Sequence, residues 1–296
     1  MTTPINLSQL LLPGFRKIYG DSYADIPTQY DKVYEIDTSS KSKEEDQGLS
    51  TLGLAVEKPV MKSITFDTVY QGYTKTYTPI TYALGFMIAK ETWDDALYRN
   101  VKQLPKALGR SVRHTIEILG ANVLNNAFSA SYLGADGKEL CATDHPLLGG
   151  GTFRNELTTP ADLDVISFEQ CLIDIRGFVD DRGLKVVARP KLLVIPPQLE
   201  FAAKMLLKSE KLPDTANNNI NPANGMMPYI VLDWLTDPDA FFILTDVPNG
   251  LNFIWREKPR FGTEDEWNSE VSKFKVVFRC ANGWTDSRCV FGSPGA

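Results

Sequence analysis

The chain has 296 residues, 43% of them hydrophobic and 23% charged, with a formal net charge of -6. That composition suits a globular protein with a sizeable core, in one large domain or two smaller ones. It excludes a bilayer-spanning helix, which needs about 18 consecutive apolar residues, and a DNA-binding surface covering the whole molecule, which needs clustered Lys and Arg. A container that encloses nucleic acid with little direct contact is compatible with this charge.

At the N-terminus, "INLSQLLLPGFRKIYG" is a short amphipathic piece. No Lys or Arg precedes its apolar run, so no secretory leader is expected and a cytoplasmic origin follows. The charge-rich "SSKSKEEDQG" reads as an exposed arm or turn, either loose or ordered against a neighbouring subunit. From about 49 to 88 the pattern becomes extended and rich in Tyr, Thr, Ile and Phe, alternating at Ile80, Tyr82 and Leu84. It predicts one long two-stranded excursion rather than part of a broad sheet. A lone hairpin is marginal in water, so this one must pack on another subunit or on its own domain.

"ETWDDALYRNV" then predicts a helix capped by Thr92, with Asp95 three residues later. Pro105 should end or kink it, and a second helix can start there. Leu104, Leu108, Val112, Ile116, Leu119, Val123 and Ala127 form one apolar stripe. About 25 residues of helix make a rod of roughly 37 Å. His114, beside Arg113, falls away from the stripe and is expected in solvent or at an interface.

Farther on, "SFEQCLIDIRGF" predicts a helix with Phe168, Cys171, Leu172 and Ile175 inward. "KLLVIPPQLEFAAKMLLKS" predicts a buried strand ended by Pro196-Pro197, then a helix with Phe201, Met205 and Leu206 toward a core. "DTANNNINPANGMM" reads as an exposed polar loop. Strands follow in "YIVLDWL", "AFFILTD" and "LNFIWRE", and a hairpin with "TEDEW" at its tip closes the sheet region. The fold class is mixed α+β.

The most chemical-looking stretch is "GKELCATDHPLLGGG", which sets Cys141, Asp144 and His145 within five residues. A nucleophile needs a base in contact and a third group orienting it, and a Cys-x-x-x-His spacing specifies neither. Asp144, Pro146 and the glycines read as turn formers, and His145 with them. "LLGGGTF" lacks the spacing of phosphate loops. The four cysteines are far apart and there are two histidines, so no zinc site is indicated and buried free thiols are expected. No catalytic, cofactor-binding or metal residue is assigned.

Six segments carry a resemblance: "ALGFMIAKETWDD", "LNNAFSASYLGADGKELCATDHPLLGGG", "KLLVIPPQLEFAAKMLLKS", "LTDPDAFFILTD", "WREKPRF" and "FKVVFRCANGWTDSRCVFGSPGA". In this order they resemble the major capsid proteins of tailed bacteriophages, specifically the Mu-like major head subunit family. The resemblance implies the Hong Kong 97-type capsid fold. It implies an N-terminal arm at 1–47 and an extended hairpin, the E-loop, at 48–85. A peripheral domain would take 86–132 and 251–281, with a spine helix at about 104–129. An axial domain would take 133–250 and 282–296. The implied function is a structural, non-enzymatic subunit that self-assembles as hexamers and pentamers into an icosahedral head around double-stranded DNA, without sequence-specific binding. It would be made in the host cytoplasm and reside in the virion, with scaffolding, portal and decoration proteins as further partners and no cofactor or membrane. Contacts between subunits would involve Lys58, Lys62, Phe66, Tyr70, Tyr73, Lys75 and Tyr77. No matching Asn and Glu accompany the loop lysines, so isopeptide crosslinking is not expected, and no charged helical pro-segment precedes the arm. The alternatives are an encapsulin-like nanocompartment shell and, more remotely, a cytoplasmic Cys/His hydrolase.

Overall fold

A computed structural model describes residues 7–94, 101–211, 220–266 and 271–296. In chain order the elements begin with helix α1 (Leu7–Ala24), strands β1 (Glu35–Thr38), β2 (Glu44–Leu49), β3 (Gln71–Tyr77) and β4 (Ile80–Ala89), and helices α2 (Lys90–Asp94) and α3 (Gln103–Asn125). There follow β5 (His145–Pro146), β6 (Thr152–Phe153), α4 (Val165–Arg176), β7 (Pro190–Ile195) and α5 (Glu200–Lys208). The last strands are β8 (Tyr229–Val231), β9 (Phe241–Thr245), β10 (Leu251–Glu266), β11 (Val271–Trp284) and β12 (Val290–Ser293). The chain divides into two compact units, one of Met1–Glu44, Tyr77–Gly120 and Phe253–Asn282, the other of Glu45–Thr76, Ala121–Asn252 and Gly283–Ala296.

The first unit is built on a four-stranded sheet in the order β1-β10-β11-β4. In β11, Ser272, Phe274, Val276, Phe278 and Cys280 are buried while Lys273 and Lys275 face water, the two-residue period of a half-buried strand. β4 pairs antiparallel with β11 from Ile80↔Cys280 to Ala89↔Val271. The expected two-stranded excursion is therefore corrected: its second half is a sheet strand whose partner lies far downstream. α1 packs with Phe15 against Phe274 and Phe86, at ring separations of 5.1 and 6.3 Å, and with Tyr19 on Phe261 at 5.3 Å.

α3 carries the apolar stripe, and Leu108, Val112 and Ile116 are buried along it. Pro105 sits in its first turn, where a missing N–H costs nothing. Gly109 lets α1 approach: an added Cβ there would stand 2.7 Å from the Tyr19 carbonyl oxygen. Arg113, expected on a polar face, is buried instead. Its guanidinium lies 4.2 Å from the Tyr23 ring, Nε donates to the Tyr23 carbonyl at 3.3 Å, and Nη1 is 3.9 Å from Glu117 Oε1. Glu117 Oε2 accepts the backbone N–H groups of Gln29 and Tyr30 at 3.2 and 3.1 Å, tying the segment after α1 to the helix. His114 is exposed. α2 begins at Lys90, so Thr92 lies inside it rather than at its cap, and Asp95 lies outside the described residues.

The second unit has a sheet in the order β12-β9-β7-β8, parallel between β7 and β8 and antiparallel elsewhere. Its core gathers Phe168, Cys171 and Ile175 of α4, Leu193 and Ile195 of β7, Leu206 and Leu207 of α5, Phe241 and Ile243 of β9, and Phe291 of β12. Asp164 caps α4 in a reciprocal pair with Ser167. α5 is rotated from the expected phase, since Ala203, Leu206 and Leu207 are buried while Phe201 and Met205 are exposed. A second correction concerns 39–48, where the charged stretch runs into strand β2, paired with β3, rather than remaining an arm or turn throughout. Residues 212–219 of the Asn-rich stretch and 267–270 lie outside the described residues; of the expected tip "TEDEW", Thr263–Glu266 belong to β10 rather than to a tip.

Candidate assembly loop and the buried His145 network

Between β2 and β3, residues 50–70 form no regular secondary structure apart from a turn at 60–61. Leu52, Leu54, Val56, Val60, Ile64 and Val69 are exposed there, Phe66 is 90% exposed and Met61 99%. Eight apolar side chains of this one segment thus stand in water, more than scattered surface residues usually amount to. Lys58, Lys62, Phe66, Tyr70 and Tyr73 all stand on the exposed side of this excursion. Tyr77 is only 3% exposed, packed with Ile254 and Ala281. Lys75 lies back on the body of the unit, with Nζ 4.8 Å from the centre of the Trp284 ring and 3.4 Å from the Leu133 carbonyl.

The base of the loop is clamped. Ser50 N donates to the Tyr70 carbonyl at 3.0 Å, and Ser50 Oγ accepts from Tyr70 N at 2.8 Å. Asp67 Oδ2 accepts Gly53 N–H at 2.7 Å and Arg182 Nη1 at 2.6 Å, while Arg182 also donates to the Thr68 carbonyl. The Arg182 guanidinium lies 5.2 Å from the Tyr70 ring. The Gly53 N–H, and after it Arg182, hold the Asp67 carboxyl below its usual range. Thr51 donates to Asp180, whose other oxygen accepts Arg182 N–H at 2.9 Å and Leu184 N–H at 2.8 Å. Burial would raise the Asp180 carboxyl, but these donors hold it low. Loop and turn thus fix each other by charge-assisted bonds.

A cavity of about 460 Å³ opens beside this base, with Tyr73, Phe153, Trp284, Asp136, Asp286 and Arg288 among its walls. The Arg288 cation is consumed by the fold. Nε donates to the Val179 carbonyl at 2.9 Å, Nη1 to Asp286 at 3.2 Å, and the guanidinium lies 4.3 Å from the Phe153 ring.

The Cys141–His145 stretch is structural in geometry. Cys141 is completely buried, and burial pushes its thiol well above the ordinary range, which leaves it protonated and a poor nucleophile. His145 is not a turn residue: it lies in β5, fully buried and stacked on Phe153 at 4.8 Å. Its Nδ1 is 2.6 Å from Asp136 Oδ2 and its Nε2 3.0 Å from Asn155 Oδ1. Burial would raise the Asp136 carboxyl, but the bond to His145, its charge and the nearby backbone N–H groups together hold the group below its usual range. Asp144 takes Lys138 Nζ at 2.6 Å. Asp136, Asn155 and Ser287, the partners in this network, are joined only by tertiary folding, and no spacing in the sequence announces them. All four cysteines are buried free thiols. Among the described residues no cluster of three metal-ligating side chains occurs, and no helix is long and apolar enough to cross a membrane.

Comparison with curated proteins gives no match. Among solved structures, the capsid of bacteriophage JBD30 decorated with minor capsid protein trimers is similar with a TM-score of 0.58 at 16% identity, covering 80% of this chain and 100% of its own. The procapsid of the same phage gives 0.53 at 16% identity, covering 98% of this chain and 75% of its own. A virus-like particle from Pyrococcus furiosus gives 0.54 at 9% identity, covering 94% and 97%. The fold is the mixed α+β Hong Kong 97-type capsid fold. The profile of a family described as phage capsid protein matches residues 72–292, most of the sequence, and the chain belongs to that family.

Proposed function

We propose that this chain is the major capsid protein of a tailed phage, assembling as hexamers and pentamers into an icosahedral head around double-stranded DNA. The observation that carries the reading is the family match over 72–292 on a capsid fold. We read it as a Mu-like head subunit, a reading that the six segments quoted above support. Its role is structural, as are its family and fold. It assembles in the host cytoplasm and ends in the virion. Scaffolding, portal and decoration proteins are its proposed partners; the JBD30 capsid is itself decorated with minor capsid protein trimers.

The domain assignment is arm 1–47, E-loop 48–85, peripheral domain 86–132 and 251–281, and axial domain 133–250 and 282–296. The exposed apolar loop at 50–70 supports the E-loop assignment, because such side chains need a partner to cover them. Contact falls to Lys58, Lys62, Phe66, Tyr70 and Tyr73, since Lys75 and Tyr77 are engaged within the chain.

Electron microscopy of the full-length protein tests this reading. Shells are expected, with nucleic acid as their content when they are isolated from infected cells; a packaged protein instead would mean a storage compartment. A variant lacking 55–66 should fold and fail to close shells. The deletion must spare 71–77, which pair in β3. Normal shells from it would overturn the loop assignment.

A further inference from the structure

The sheet of the first unit keeps one face under α1, where Phe274, Phe86 and Phe261 meet that helix. Strand alternation turns Arg256, Lys258 and Arg260 of β10 and Lys275 and Arg279 of β11 to the other face. Lys258, Arg260 and Lys275 are exposed there, and Arg256 and Arg279 are half-buried. Of these five cations, Arg260 alone meets a carboxylate among the described residues, Glu257 at 2.9 Å. Arg256 Nη1 donates to the Ser39 carbonyl at 3.3 Å. Arg279 Nε is shielded from water and has no hydrogen-bond partner among the described residues, a costly state for a guanidinium donor. The neighbouring strand β4 supplies no counter-charge: Thr81 stands opposite Arg279 and Gly85 opposite Lys275, and the strand contains no acid.

The same pair of strands carries its acids at the other end. Glu264, Asp265 and Glu266, the last residues of β10, are exposed, and Lys273 pairs with Glu266. Lys258 and Glu264 stand about 20 Å apart along β10, and Arg279 about as far from Lys273 along β11. Two paired strands cannot fold back to close that gap, so the ladder does not neutralise its own ends.

We infer that the acidic end of β10 docks on the cationic face of β10 and β11 in a second copy of the chain. The inference rests on the assembly reading and gives it a contact besides the exposed loop. Charge complementarity names the occupant. Each copy offers both signs, displaced along one rigid element, so two copies satisfy each other through different patches. Chains of net charge -6 repel one another, and this contact sets opposite charges together where copies meet. Phosphate is the poorer fit. A duplex lying along the strands would also meet Glu264, Asp265 and Glu266, and the exposed Met87 opposite Lys273 offers it nothing to bind.

The test compares full-length variants by the protein concentration at which shells first appear, in about 50 mM and about 500 mM salt. Lys258→Glu/Lys275→Glu and Glu264→Lys/Asp265→Lys should each raise that threshold at least about tenfold at low salt, and far less at high salt. All four substitutions in one chain make the patches complementary again with their signs exchanged. The threshold should then return to within about threefold of wild type. Lys258→Gln/Lys275→Gln sheds charge without reversing it and should give a smaller rise. These side chains are exposed, so the urea midpoint of the unassembled subunit should hold throughout; if the Glu variant fails to fold, the Gln variant decides. Wild-type shells whose threshold ignores both reversals would overturn the contact and leave the assembly reading standing. A fourfold variant no better than the worse pair would overturn it too. So would lost retention of DNA at an unchanged threshold, which would give the face to phosphate. A wild-type chain that never associates would sink contact and assembly together.

Discussion

Phe66→Ala separates adhesion from folding more cleanly than any other single change. The ring is 90% exposed and sits in a loop with no regular pairing. A phenylalanine can bury about 150 Å² or more, and a subunit contact covering most of this ring would remove about 120 Å² of apolar surface from water, worth about 3 kcal/mol. Alanine recovers a fraction, so the contact should weaken by about 2–3 kcal/mol, a factor of about 30 to 150 in its equilibrium constant. The free subunit loses no packing, and its stability should stay within about 0.5 kcal/mol. The protein concentration at which shells first appear, followed by light scattering, should rise by at least that factor, while the urea midpoint of the unassembled subunit holds. Phe66→Leu should fall between. An unchanged assembly threshold would refute the reasoning, and so would a subunit destabilised by more than about 1 kcal/mol, which would place the ring inside the fold.

Gly292→Ala should destabilise the second unit by about 1–3 kcal/mol, since the new methyl would stand 2.9 Å from Cys141 Sγ and 3.0 Å from both Phe128 and Phe242; chemical denaturation measures it. Cys141 and Cys171 should resist thiol reagents until the protein unfolds, because burial raises both thiols, Cys171 to about 12; labelling at a rate faster than unfolding would contradict the packing. Glu117 offers a pH test. Burial raises its carboxyl above the usual range against the pull of the Tyr30 and Gln29 N–H groups and Arg113. The folded state therefore binds the proton more tightly than the unfolded one, so this residue's contribution declines as pH climbs from about 4 through the raised value. Wild type should gain on Glu117→Gln as the solution is acidified, read as the difference between their urea midpoints.

What the sequence made legible was periodic. The α3 stripe repeats one choice many times, so a wrong residue or two cannot hide the pattern. The phase of α5 was not legible, because Phe201, Ala203, Met205, Leu206 and Leu207 supply apolar residues on more than one face and only the sheet beneath decides between them. β4 escaped for a different reason. Its Tyr and Thr residues suit any strand, and the partner that makes it part of a broad sheet lies almost two hundred residues downstream. Arg113 and Glu117, charged and spaced as an ordinary exposed helical pair, gave no sign that α1 and the Tyr30 segment would cover them.

The same distinction separates the two features that matter most for function. An exposed apolar loop looks, in composition, like a strand seeking a core; only its exposure in the folded unit shows that its own unit does not cover it. The histidine that resembles half of a catalytic pair is the opposite case, a residue whose value lies in having no access at all. A shell subunit needs both properties in one unit: apolar side chains left open to a partner, and a body rigid enough to hold them in position. The Arg182 and Asp67 clamp fixes the base of the loop and leaves Met61 and Phe66 free, while Asn155 and His145 tie the passage after α3 to the last strand. Adhesion and rigidity are thereby carried by different residues, so either should be removable by substitution without the other.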